Sequence, residues 1–164
     1  MTARYTTQNG LIMNNLIEYY NTSSNMSNVV KILNGSSKIS LRVVDWFVTN
    51  FAKHHCTMYM NDGSRFKVYD DYKLRLKSYS KRRFDPFCRF ERIEIPYEIP
   101  NEGAVGATPT TSSGTIETTI GQLNFFRWAF ENGIIQHIEE NYPLIIADMN
   151  SRNSTAKKKI TPMG

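Results

Sequence analysis

The sequence predicts a single α+β domain, and three observations carry that prediction. A helical apolar period runs over Leu41, Val44, Val48 and Phe51, an Asp62-Gly63 pair separates two short alternating runs, and a second helical period follows Thr119-Ile-Gly-Gln122. In order these give an N-terminal helix, a small antiparallel sheet with a hairpin, and a C-terminal helical pair, flanked by extended tails. A length of 164 residues suits one domain, and 40% hydrophobic with 12% aromatic residues suffices for a globular core.

Residues 1–27 are rich in Asn, Thr, Ser and Tyr, with one short apolar cluster at Leu11, Ile12, Leu16 and Ile17. They read as a flexible arm holding one helical turn. The domain itself spans residues 28–150. Its first clear helix starts at the cap Ser40, carries Phe47 on its apolar face and ends near His54. Thr57 to Met60 and Arg65 to Tyr69 then form the hairpin, since Asp-Gly supplies the positive backbone angles of a tight turn. Phe66 and Val68 face the core, and Arg65 and Lys67 face water.

Asp71 to Arg83 fits two periods. Leu74 and Leu76 alternate with Lys73, Arg75 and Lys77 as in a strand, while Tyr72, Leu76 and Tyr79 recur as in a helix; acids at the start and bases at the end favour the helix. Asp85-Pro86 breaks it, because the residue before proline is pushed out of the helical region. Arg89 to Tyr97 reads as a strand with Ile93, Ile95 and Tyr97 on one face. Residues 98–117, rich in Pro, Gly, Thr and Ser, read as a long loop or strap.

Thr119-x-x-Gln122 has the form of a capping box, so a helix begins there, with Leu123, Phe126 and Phe130 as its stripe and Asn132-Gly133 as its stop. Ile134, Ile135 and Ile138 open another helical face. Pro143 is tolerated only in a first turn, which places a kink or restart near Tyr142. Residues 151–164 read as a basic tail.

The net charge of +5 is unevenly spread. Between Arg65 and Arg92 ten basic residues face four acidic ones, a local +6, which leaves about −1 for the rest. The densest part is KSYSKRRFDPFCRF, residues 77–90, where Lys and Arg alternate with aromatic rings. Such a run suits phosphates with base stacking, or carboxylates and apolar pockets of a protein partner. The candidate partner-binding residues are Lys77, Tyr79, Lys81, Arg82, Arg83, Phe87 and Arg89, with Lys157, Lys158 and Lys159 of the tail.

Other chemistry is poorly represented. His54-His55-Cys56 with Cys88 offers zinc-type ligands, but adjacent residues converge badly on one ion and no paired Cys or His spacing occurs. Cys56 beside His55, or Cys88 with His137, lacks any pattern that defines a nucleophile and its base. Gly103-Ala-Val-Gly106 lacks the ending and setting of a phosphate loop. The sequence therefore points to a protein that is not an enzyme, with no catalytic residue, metal or cofactor. Two sparse cysteines read as free thiols of a reducing compartment. No leader pattern and no window approaching the roughly 18 apolar residues of a span predict a soluble intracellular product, in which Asn21, Asn25 and Asn153 are chance sequons.

SNVVKILNGSSKISLRVVDWFVTNFAKHH, KSYSKRRFDPFCRFERIEI and TTIGQLNFFRWAFENGIIQHIEE resemble a family of small basic proteins of large nucleocytoplasmic DNA viruses, of the phycodnavirus and mimivirus type. The resemblance covers most of residues 26–150 apart from the strap, and it brings no catalytic motif. It implies a virion protein, present in host cytoplasm during assembly. The expected role is a minor capsid protein binding neighbouring capsid proteins; the alternative is a DNA- or RNA-binding protein of the core or replication factory.

Overall fold

A computed structural model describes the backbone of residues 8–22, 24–100 and 111–160, and the side chains of 10–22, 24–98 and 113–152. The first seven residues of the expected arm, residues 101–110 of the strap with Gly103 to Gly106, the last four of the tail, and the side chains of Lys157, Lys158 and Lys159 lie outside the described residues. The element order is α1 (Gln8–Tyr20), α2 (Asn25–Leu33), α3 (Leu41–Trp46), a π-helical segment (Phe47–Phe51), α4 (Ala52–His54), β1 (Met58–Asn61), β2 (Ser64–Lys67), α5 (Val68–Tyr79), β3 (Arg92–Pro100), β4 (Thr111–Thr119), α6 (Ile120–Glu131), α7 (Ile134–Glu140) and α8 (Tyr142–Ile160). The fold is α+β, with two two-stranded antiparallel sheets, β1-β2 and β3-β4. The chain forms two compact units, one of Met1–Lys38 with Tyr79–Trp128, the other of Ile39–Ser78 with Ala129–Gly164.

In the first unit the segment expected to be an arm carries α1 and the start of α2. Leu16 and Tyr20 are buried, and the Tyr20 hydroxyl donates to the Leu123 carbonyl at 2.6 Å. The polar composition hid this helix because only one narrow stripe of it enters the core. Val29, Val30 and Ile32 bury the matching face of α2. Both described ends of the expected strap are strand: Thr111–Thr119 pairs with Arg92–Pro100 along nine residues, with Ile95 opposite Ile116. Threonine-rich chain suits a ribbon of this kind, whose rows need few large apolar groups. Gly114 lies beneath the Tyr97 ring, where a Cβ would sit 3.0 Å from the phenol oxygen.

In the second unit Ser40 caps α3, its hydroxyl accepting from the Val43 amide. The π-helical segment inserts one residue into the apolar register. Ala52 therefore takes the buried position that the regular period gave to Phe51, and Phe51 is half-buried against His55. The hairpin turn forms at the expected place, but its second strand ends at Lys67, and Val68 and Tyr69, expected in that strand, open α5; Asp62 and Gly63 have φ of 48° and 79°, Asn61 pairs with Ser64, Phe66 is buried, and Arg65 and Lys67 are exposed. Gly133 at φ 67° separates α6 from α7, and Pro143 occupies the first turn of α8. The backbone of α8 continues to Ile160, through most of the stretch read as a tail.

Candidate interface: a clamped basic loop

Between α5 and β3 the chain has no regular structure, yet nearly every part of it is tied down. The helix expected over Asp71 to Arg83 forms as Val68–Tyr79, with Asp70 and Asp71 in its first turn and Lys77 in its last. It stops at Ser80, whose φ of 66° turns the chain, and the Arg83 amide closes onto the Ser80 carbonyl. Lys81, Arg82 and Arg83 therefore belong to a turn. Phe84 then enters the core, 1% exposed, with Phe125 and Trp128 at 5.3 and 5.4 Å and Tyr79 stacked at 6.0 Å. Burial of one such ring contributes roughly 1.5–3 kcal/mol.

Polar groups at the junction of β4 and α6 hold the rest. Thr118, Thr119 and Asn124 are the buried polar side chains among the described residues. The Thr119 hydroxyl caps α6 by accepting from the Gln122 amide at 3.1 Å and donates to the Cys88 carbonyl at 3.0 Å. Asn124 donates to the Arg83 carbonyl at 2.8 Å, and the Asp85 amide reaches the Gly121 carbonyl at 3.2 Å.

Gln122 departs from the expected capping box. Its carbonyl oxygen accepts from Thr118 at 2.7 Å and its amide donates to the Pro86 carbonyl at 2.8 Å, so the residue that a box turns back on its own helix reaches out to the loop. Gly121 leaves no room beside the loop: a Cβ there would lie 2.7 Å from Cys88 Sγ and 3.0 Å from the Arg82 carbonyl oxygen. Inside the loop the Asp85 carboxylate accepts from the Phe87 amide at 3.0 Å, fixing the turn at Pro86.

A rigid frame thus presents a chemically mixed outer face. Phe87 and Phe90 are 45% and 41% exposed, beside exposed Lys81, Arg82 and Arg89. Among the described residues Lys81, Arg82 and Arg89 make no ion pair. The Arg82 guanidinium lies 4.7 Å from the Phe90 ring centre, covering one of its faces. Of the other candidates, Tyr79 is half-buried and stacked, Arg83 is half-buried, and exposed Lys77 belongs to the second unit. Phe90 and the four holders Thr119, Gly121, Gln122 and Asn124 were missing from the sequence-predicted set. The Thr-x-x-Gln pattern marked two of the holders, but only as a helix cap.

The second unit concentrates its titratable groups elsewhere. The Asp148 carboxylate accepts from Trp46 Nε1 at 2.9 Å, His55 Nε2 at 3.3 Å and Arg152 Nε at 3.2 Å. Desolvation pushes its pKa up, but the hydrogen bonds from Trp46, His55 and Arg152 and the Arg152 charge outweigh it and hold the group below the ordinary carboxylate range. This cluster fastens α8 to the α3–α4 run. His137 stacks on Tyr59 at 4.8 Å; burial lowers its pKa, opposed by Glu140, and burial raises that of Tyr59, whose hydroxyl donates to the Asn132 carbonyl. Both cysteines are free, Cys56 exposed and Cys88 buried, and the Cys88 thiol donates to the Arg82 carbonyl.

The chain is thus an α+β protein whose buried polar side chains hold an exposed basic loop in place. The chain belongs to a family of unknown function, DUF7197, whose model matches residues 1–162. It is also 41% identical over 137 residues to the uncharacterised protein L507 of Acanthamoeba polyphaga mimivirus, covering 80% of this chain and 49% of L507. The chain thus spans about half the length of that relative, and a giant-virus kinship stands. No solved structure matches significantly.

Proposed function

We propose that this protein is a non-enzymatic structural component of a large DNA-virus particle, a minor capsid protein whose basic loop binds acidic surface on neighbouring capsid proteins. The observation that carries the reading is the clamped loop with Lys81, Arg82 and Arg89 around two half-exposed phenylalanines. Pre-ordering removes the entropy that a flexible basic segment loses on binding. Arginine with aromatic anchors is the composition of protein interfaces. The choice against nucleic acid rests on ring availability. A strand of stacked bases needs several open aromatic faces, whereas Arg82 covers a face of Phe90 and Tyr79 is stacked on Phe84, which leaves Phe87 as the open ring of the loop. The mimivirus relative supports the viral setting.

Cross-linking of intact particles, followed by fractionation into shells and DNA cores, tests the reading. The expected result is cross-links from Lys81 to shell proteins and recovery with emptied shells. Recovery with cores alone overturns it. So does purified protein retained on DNA at physiological ionic strength and released by the triple charge reversal Lys81→Glu, Arg82→Glu, Arg89→Glu, a result that establishes the nucleic-acid alternative.

A further inference from the structure

The β1-β2 hairpin of the second unit carries a chemically mixed face of its own. Side chains alternate across a strand, and the register pairs Met58 with Lys67 and Met60 with Arg65. These four share the outward face, while Tyr59 and Phe66 turn to the other side, where Phe66 is buried. Met58 and Met60 are 46% and 65% exposed and stand side by side on this face. At the foot of this face lies a cleft of about 240 Å³ lined by Lys53, Cys56, Thr57, Met58, Lys67, Tyr69 and Asp70. Lys53 holds its ammonium 5.7 Å from the Tyr69 ring centre, at the cleft wall. Among the described residues Lys53, Arg65 and Lys67 make no ion pair.

We infer that this hairpin face is a second docking surface, and that it takes an acidic, extended protein segment with an apolar anchor residue. The anchor enters the cleft between Met58 and Tyr69, and flanking carboxylates meet Lys53, Lys67 and Arg65. Charge complementarity selects the occupant: Lys53, Lys67 and Arg65 outnumber Asp70, the one acidic residue of the cleft lining, around an apolar centre, so the partner must combine negative charge with an apolar side chain. Methionines adapt to the shape of such a side chain. A nucleic-acid strand fits less well, because the centre of the face is formed by the exposed thioethers of Met58 and Met60, where phosphate needs donors.

The test uses the full chain with ¹³C-methyl methionine, titrated with a peptide of alternating Glu and Leu. Met58→Leu and Met60→Leu assign the two signals. The expected result is saturable shifts of both, with affinity falling at least roughly tenfold in Lys53→Glu/Lys67→Glu. A Glu-only peptide is expected to bind as weakly as that variant does. Lys67→Gln, a milder change at an exposed position, should give an intermediate affinity. Lys81→Glu/Arg89→Glu should leave the shifts intact, which keeps this result separate from the fate of the basic loop. Absence of shifts, undiminished binding in Lys53→Glu/Lys67→Glu, or equal shifts from a single-stranded DNA oligonucleotide overturns the inference.

Discussion

At the scale of single residues, the loop depends on a glycine. Gly121 lies where a methyl group would press on Cys88 Sγ and the Arg82 carbonyl, and a backbone oxygen yields less readily than the end of a flexible side chain. Gly121→Ala is expected to lower stability by about 1–3 kcal/mol, read from the urea midpoint, and to speed proteolysis between Lys81 and Arg89. An unchanged midpoint would show that the loop is not held as its hydrogen bonds imply. Asp148 governs a different property. Its folded pKa is depressed, so its contribution is complete above the ordinary aspartate value and is lost progressively as pH falls toward and through the folded value. Asp148→Asn should therefore be less stable than the wild type at neutral pH, with the difference narrowing on acidification. Thermal unfolding between pH 7 and strong acid measures it; a difference that stays constant rejects the assignment.

Among the elements, α5 shows how a helix end sets the site. Its final carbonyls give way to Ser80 in the left-handed region, a conformation that costs a side chain roughly 1–2 kcal/mol. The extra chain freedom of glycine offsets about 0.5–1 kcal/mol of the relief. Ser80→Gly should accordingly raise stability by about 0.5–1 kcal/mol and leave the loop's partners unchanged, as a higher melting temperature would register. A lower one would mean that the Ser80 side chain supports the turn. The π-helical segment is the counterpart in the second unit. It shifts the register by one residue, so that Ala52 is buried where the 3.6-residue period gives Phe51.

For the whole molecule, the two units are interleaved along the chain. Each takes residues from both halves, the first from Met1–Lys38 and Tyr79–Trp128, the second from Ile39–Ser78 and Ala129–Gly164. No single cut can separate them. Fragments 1–78 and 79–164 are each expected to lack cooperative thermal unfolding and dispersed amide signals, since each holds only part of either core. A cooperatively folding fragment 1–78 would refute this. The same interleaving explains why the sequence suggested one domain: only the crossing at residue 38 follows a turn-rich stretch, Asn34-Gly35-Ser36-Ser37, and those at residues 78 and 128 fall within the helices α5 and α6.

Local chemistry was enough to specify much of this protein. The Asp62-Gly63 turn, the Ser40 cap, the start of α6 at Thr119, the stop at Gly133 and the restart at Pro143 all follow from backbone preferences acting within a few residues, which is why the α+β class and the hairpin were legible. The charge and rings of residues 77–90 were equally visible, and they located the basic loop. Which rings face outward was not. Phe84, Phe87 and Phe90 are the same residue type three apart, yet Phe84 is buried and the other two are exposed. That division is made by Thr119, Gln122 and Asn124, more than thirty positions away in the chain. The helix in residues 8–20 likewise acquires its stability from Leu16 and Tyr20 packing in a core assembled from distant segments. Short-range preferences are written where they act, whereas burial and polar partnership depend on what tertiary folding brings alongside.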